Sequence, residues 1–324
     1  MLIKKIRVLL VSCLIGLWVF SSQAAEWTMA SGYPKSNFHT QNIIKFIDDV
    51  KSGSSVKINL NPNDTLIKLD AIKTSLQRGQ IPIGEIRFGI YGNEDPMYIL
   101  AGLPFIAPDY ASAWLLKEVK HAYLQEKFNK KGLRILYTSP WPGQGFYTKF
   151  AVNKVSDFNG KKLRIYSTAT QQMGSMLGFN ATILPFAEIP QAFSTGLIEA
   201  LFTSPQTGID IQAWDNTKHF TYAGAIFSKN AVIVTNKAFN ALSKADQSHV
   251  LAAADRAELR GWEMSAATTR KQIGILEKNG MKSKNAPDEV ISKMKEIGQA
   301  MMKDWRKKAS PEANAVLDRY LSMR

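Results

Sequence analysis

Between Gly160 and Pro205 the chain reads GKKLRIYSTATQQMGSMLGFNATILPFAEIPQAFSTGLIEALFTSP. Three short apolar runs, at 163–166, 181–184 and 200–203, alternate with two helix-like segments. That β-α-β-α-β order predicts parallel strands joined by right-handed crossovers, which commits this part of the chain to an α/β layer fold. Ligands of open α/β sheets lie in the crevice outside the carboxyl ends of the strands. Arg164, inside the first run, and Ser204, just past the third, are therefore expected to face one crevice.

The flanking sequence predicts further elements of the same kind. EWTMA at 26–30 is a short first strand, and SGYPKSNFHT after it is a breaker-rich loop. Asn37 or Thr40 suits the cap of a helix carrying Ile43, Ile44, Phe46, Ile47 and Val50 at helical spacing. SVKINL at 55–60 alternates as a half-buried strand, and Asp64 suits the N-cap of a helix running to Arg78. Strand character returns at 80–91, 132–138 and 231–236, with a bent connection at 96–108 and an amphipathic helix at 109–128. Residues 139–147 read as a loop dense in aromatics and glycines. From Ser243 to Asn279 the pattern is one helix, stopped by Gly280, with further helices at 288–302 and 311–323. At about 1.5 Å per residue the long helix extends about 50 Å, more than one small domain, so it is expected to run across two.

The first 25 residues have the form of a cleaved export signal. Lys4, Lys5 and Arg7 precede an uncharged apolar run at 8–20, and Ser22-Gln23-Ala24 supplies small residues for cleavage. The run is too short to span a membrane. Cys13, the single cysteine, lies within this signal, so the mature chain is expected to have no disulfide and to rely on its core. About 300 residues suffice for two such cores. The formal charge of the chain is +14; removing Lys4, Lys5 and Arg7 leaves 38 basic residues against 27 acidic, a net +11. The basic residues are scattered and accompany no nucleic-acid-binding motif, so the balance points to small anions or to a bland soluble surface, with no nucleic acid as partner.

No catalytic or metal motif emerges. His39, His121, His219 and His249 lack metal-ligand spacing, and HExxH, GxSxG and P-loop patterns are absent. Gly143-Gln144-Gly145 starts a GxG, but Thr148 stands where a dinucleotide fingerprint needs its third glycine. These glycines read instead as a place where the backbone passes close to something. No metal, cofactor or enzymatic activity is expected.

The strand KLRIY, the segment LPFAEIPQAFSTGLIEALFTSP and a long helix after VIVTN together resemble the solute-binding subunits of tripartite ATP-independent periplasmic (TRAP) transporters, a dicarboxylate-binding-protein-like family. The likeness covers nearly all of the mature chain. It is most specific over 157–205, where the family pattern "GLKLRVP…GA.P..M…EVY.ALQ.G.VDGQENP" is matched by GKKLRIY and LGFNATILPFAEIPQAFSTGLIEALFTSP. The resemblance implies an α/β two-domain periplasmic binding protein with a cleft between the domains and the long helix spanning both. It implies domain I from 26–141 plus 230–269, and domain II from 142–229 plus 270–324, after the signal at 1–25. It also implies a small organic-acid ligand, handed to the integral membrane subunits of a TRAP transporter. The family's arginine that pairs bidentately with the ligand carboxylate falls on Arg164. Gln144 stands where sialic-acid-type members carry a further arginine, and Ser204 where many members have the asparagine of "GQENP"; both departures argue against a sugar acid. Arg87 or Phe88 aligns with a pocket residue of the first domain.

A guanidinium fork suits a carboxylate, because two parallel charged hydrogen bonds fix its plane. At about 1.5–3 kcal/mol each these do not reach the roughly 8 kcal/mol of micromolar binding, so apolar burial must add to them. Trp141, Phe186 and Trp214 are the aromatic residues expected to supply it, with Tyr33 contributing just after the first strand. His39 is expected to serve the helix start, and Glu188 the macrodipole of its helix. The expected ligand is a monocarboxylate, aromatic or a 2-oxo acid. The alternatives are a C4-dicarboxylate, with Arg87 as the second cation, and a periplasmic enzyme acting on small acids.

Overall fold

Strand pairing divides the molecule into two sheets. The structure, a computed structural model, describes residues 25–324; the export signal expected at 1–25 lies, but for its last residue, outside the described residues, as does Cys13. The strands are β1 (Glu26–Ala30), β2 (Lys57–Asn61), β3 (Ile83–Arg87), β4 (Leu133–Pro140), β5 (Gly145–Thr148), β6 (Lys162–Ile165), β7 (Asn180–Ile183), β8 (Ala200–Thr203), β9 (His219–Tyr222), β10 (Lys229–Thr235) and β11 (Lys282–Asn285). The first sheet has the order β2-β1-β3-β10-β4 and the second β11-β9-β5-β8-β6-β7. As expected for a β-α-β-α-β block, β6 pairs parallel with both β7 and β8. The chain passes from the first sheet to the second between β4 and β5, and returns between β9 and β10. Both crossings are short segments between strands, with no flexible linker.

The helices are α1 (Phe38–Lys51), α2 (Ile72–Gln77), α3 (Tyr110–Asn129), α4 (Thr168–Met176), α5 (Ile189–Ser194), α6 (Pro205–Asp210), α7 (Asn236–Asn240), α8 (Lys244–Lys278), α9 (Asp288–Lys308) and α10 (Pro311–Met323). α8 is 35 residues long, or about 52 Å. Its first half packs Val250, Ala253, Ala254 and Ala257 into the core shared with β1, β2 and β10. Its second half packs Leu276 into the core around Tyr147, Leu201 and Phe220. One helix thus touches both sheets, and Gly280 at φ +89° ends it in the left-handed turn that glycine adopts without strain. α10 packs on α3, and its Tyr320 hydroxyl donates to Ile106 O at 2.8 Å.

Two local expectations are corrected. Asp64 does not cap a helix: Asn63 and Asp64 both take positive φ, and Asp64 Oδ1 accepts from Leu69 N at 2.8 Å. The helix starts later, as a 3-10 turn at Leu69–Ala71 leading into α2. The 139–147 segment is not all loop, because β4 runs to Pro140 and β5 begins at Gly145. β9 and β11 have weak local strand signals; the pairing of β9 with β5, and of β11 with β9, makes them strands.

Candidate functional site

At the two crossings the sheets meet around one small cavity. Arg87, at the end of β3, comes from the first sheet, and Arg164, in β6, from the second. Trp141 and Gln144 come from the crossing after β4, Ser228 from the return crossing, and Tyr33 from the loop after β1. Of the residues singled out from sequence, Tyr33, Arg87, Trp141, Gln144, Arg164, Phe186 and Ser204 line this cavity.

Arg164 is buried at 1% exposure, and its Nε and Nη2 donate to Leu184 O at 3.1 and 2.9 Å. The carbonyl that follows β7 thereby fixes the plane of the guanidinium. Burial, reinforced by the nearby positive Arg87, pulls Arg164 down to about 9, which leaves it cationic at neutral pH. Arg87 Nη2 donates to Tyr166 O at 3.2 Å, and its Nε has no partner among the described residues. The two arginines flank the Tyr166 ring, their Cζ atoms 4.9 Å (Arg87) and 5.9 Å (Arg164) from its centroid. Neither forms an ion pair among the described residues, although both are buried. Two buried cations without a carboxylate make a strongly anion-seeking site.

Polar side chains hold the walls in place. Tyr166 Oη donates to Gln144 Oε1 at 2.6 Å, and Gln144 Nε2 donates to Ser228 Oγ at 2.9 Å. Ser204 Oγ accepts from Thr207 N at the start of α6, so its hydroxyl is tied to the backbone cap. The apolar wall is aromatic: Tyr33 lies edge-on to Trp141 and Phe186, with centroids 5.0 and 5.5 Å away. Trp141 Nε1 donates to Asn230 Oδ1 at 2.8 Å, and Asn230 Nδ2 donates to Glu85 Oε1 at 2.8 Å. His39 is the second residue of α1 and stacks on Trp141 from behind, 4.4 Å between centroids; burial pushes it down to about 3, so it is neutral there.

Glu85 carries a testable pH dependence. Burial raises its carboxyl to about 7, despite hydrogen bonds from Ser31 and Asn230 that favour the ionised form. The folded protein therefore holds a proton here that the unfolded chain, near 4.5, releases. Stability contributed by this group is present at low pH and lost as pH rises through about 4.5 to 7. Glu85→Gln is expected to flatten that slope in thermal melts between these limits. A variant whose melting curve tracks the wild type across this window contradicts the assignment.

Two expected wall residues point elsewhere. Phe88 follows the end of β3 and opens a 3-10 turn, Phe88–Tyr91; its ring turns away from the Arg87 cavity and stacks on Tyr98, 6.0 Å between centroids, with Phe128 edge-on. Trp214 is carried off by the turn at Gln212, which takes φ +49°, and packs at the edge of the cluster around Tyr147 and Phe220. Glu188 is exposed at the start of α5. The cavity also includes Tyr166, Thr203, Thr207 and Ser228. Tyr166 was legible two residues after Arg164, just past the end of β6; Ser228 carries no local signal, because only the return crossing brings it here.

The model of the DctP family, described as bacterial extracellular solute-binding protein, family 7, matches residues 30–308. The chain belongs to the DctP family. Among solved structures it is similar to the DctP7 extracytoplasmic solute receptor of Bordetella pertussis, which binds pyroglutamic acid. The two are 37% identical, with a TM-score of 0.89, over 92% of this chain and 99% of that one. DctP6 of the same organism, also a pyroglutamic acid receptor, is 36% identical at a TM-score of 0.89, over 92% of this chain and 100% of its own. A TRAP solute-binding protein from a marine metagenome, solved with co-purified pyroglutamate, is 33% identical at a TM-score of 0.89, covering 93% and 99%. The mixed α/β architecture with two sheets is that of these TRAP solute-binding proteins, and the family makes this chain an extracellular solute-binding protein of the TRAP type.

Proposed function

We propose that this DctP receptor captures a small cyclic monocarboxylate of the pyroglutamate class, with Arg164 as the carboxylate anchor. The observation that carries the proposal is the pair of buried guanidiniums facing one aromatic-walled cavity with no acid beside them. Because Nε and Nη2 of Arg164 hold Leu184 O, the Nη1 edge and the second Nη2 proton remain for an end-on fork. Gln144, Ser228 and Ser204 offer the polar contacts that a lactam amide requires. Tyr33, Trp141 and Phe186 offer flat surface for its ring. The three relatives named above bind pyroglutamate. The short crossings at Pro140–Gly145 and Ala223–Ser228 are the natural hinges of a cleft divided near 141/142 and 229/230, with a third boundary at 269/270 in α8. On this reading the chain is exported through its N-terminal signal, is not an enzyme, and delivers its ligand to the membrane subunits of a TRAP transporter.

One observation favours a second ligand class. Arg87 Nε is buried without a partner, and a second carboxylate on it suits a C4-dicarboxylate. A thermal-shift panel on protein unfolded and refolded to strip carried-over ligand distinguishes the two. L-Pyroglutamate is expected to raise the melting temperature most, since a ligand at 100 times its Kd adds about 2.7 kcal/mol to the folded state. A larger shift from succinate selects the dicarboxylate; no shift from any small acid contradicts both.

A further inference from the structure

Behind the wall made by Tyr166 and Ser228 lies a second cavity. It is small, and Phe88, Tyr98, Lys120 and Lys229 are among its lining residues. Tyr166 and Ser228 line both cavities, so one side-chain layer separates them. Lys120 comes from α3 and Lys229 from the first residue of β10, and both are about 2% exposed.

Neither lysine Nζ has a hydrogen-bond partner among the described residues, and the Tyr98 hydroxyl has none either. The acids on adjoining elements are engaged elsewhere. Glu258 accepts from Thr138 N and Oγ1 and from Lys117, and Glu85 accepts from Ser31 and Asn230. What the lysines have instead are aromatic faces: Lys120 Nζ is 5.5 Å from the Phe88 centroid, and Lys229 Nζ 5.4 Å from the Trp262 ring. Such contacts are weak beside the cost of burying an uncompensated ammonium. Burial pulls Lys120 down to about 8; it pulls Lys229 well below its ordinary range, with Lys120 and Lys117 pushing the same way. The pair therefore either sheds protons or holds a counter-ion.

We propose that this cavity is a second binding site, taking a single monovalent inorganic anion of about chloride's size between Lys120 Nζ and Lys229 Nζ, with the Tyr98 hydroxyl as a third donor. Buried donors that line one cavity without an acceptor are the chemistry of an anion site. The space is on the scale of one water-sized guest, which suits a single small ion. Ile99 and Ala101 form apolar walls, which strengthen each ionic contact by excluding water. The site also adjoins the ligand cavity chemically. Ser228 Oγ accepts from Gln144 Nε2, so its own proton is left to donate, and an anion behind it orients the Gln144–Tyr166 pair in front.

The test uses the mature protein crystallised from sodium bromide, with the halide located by its anomalous scattering. The expected result is a bromide peak between Lys120 and Lys229. Chloride-35 line broadening in solution is expected to show saturable binding that Lys229→Met weakens by about ten- to hundredfold, the worth of one charged hydrogen bond. If Lys229→Met does not fold, Lys120→Met serves the same purpose. Pyroglutamate binding is measured alongside on the wild type, so failure of the anion site and failure of the ligand proposal are separate results. Bromide found only on the surface (an adventitious ion only), or an ordered water between the two lysines in bromide-grown crystals, overturns the proposal.

Discussion

Arg164→Ala is expected to weaken pyroglutamate binding by about hundredfold or more, because it removes a fork of two charged hydrogen bonds worth about 1.5–3 kcal/mol each. Calorimetry on the refolded protein reads this directly. The substitution also leaves Leu184 O without its two donors, so some stability is lost as well. Arg164→Lys separates the effects: it keeps the charge but not the planar fork. Its affinity is expected to fall between wild type and Arg164→Ala. Unchanged affinity in both variants removes Arg164 as the anchor, whatever happens to their melting temperatures.

The second large effect is expected at Gly145, where β5 begins one residue after Gln144. A Cβ built there lies 2.4 Å from Thr221 O and 2.9 Å from Tyr222 Cα, both backbone atoms of β9. Backbone held in a ladder on both sides cannot step aside, since Gly145 pairs with Thr203 on one flank and Tyr222 on the other. Gly145→Ala should therefore cost about 1–3 kcal/mol or more. It should also weaken ligand binding, because Gln144 O accepts from Ala223 and Gly224 N across the same contact. Gly274→Ala is the matched control. It lies within α8 with no atom inside 4 Å of the new Cβ, so a gain of about 0.5–1 kcal/mol is expected from helix propensity. A Gly145→Ala protein that melts with the wild type contradicts the close strand approach.

Gly143 and Gly145 show what a sequence reveals and what it withholds. Their pattern excluded a dinucleotide loop and signalled a close backbone approach, which the contacts with Tyr222 and Thr221 bear out. Nothing in the pattern named those partners, some 80 residues away. The parallel β6–β7–β8 block was legible because apolar runs and crossover lengths are local signals. So was α8, through its cap, its length and its terminal glycine. Arg87 and Phe88 were legible only as a pair: β3 ends at Arg87, which faces the cavity, and the 3-10 turn that Phe88 opens carries its ring away. Ser228 and the Lys120–Lys229 cavity depend on α3 and β10 meeting, which no single stretch encodes. Trp214 looked like a wall residue from its place after the Ser204 loop, but the left-handed turn at Gln212 turns the chain away.

The most direct test of the central claim is a crystal structure of the refolded protein with added L-pyroglutamate. The account predicts the carboxylate in the cavity between Arg164 and Tyr166, with both oxygens at about 2.7–2.9 Å from Arg164 nitrogens. The ring should lie against Trp141 and Phe186. A carboxylate bound elsewhere, or an occupied cavity in which Arg164 stays only on Leu184 O, contradicts it.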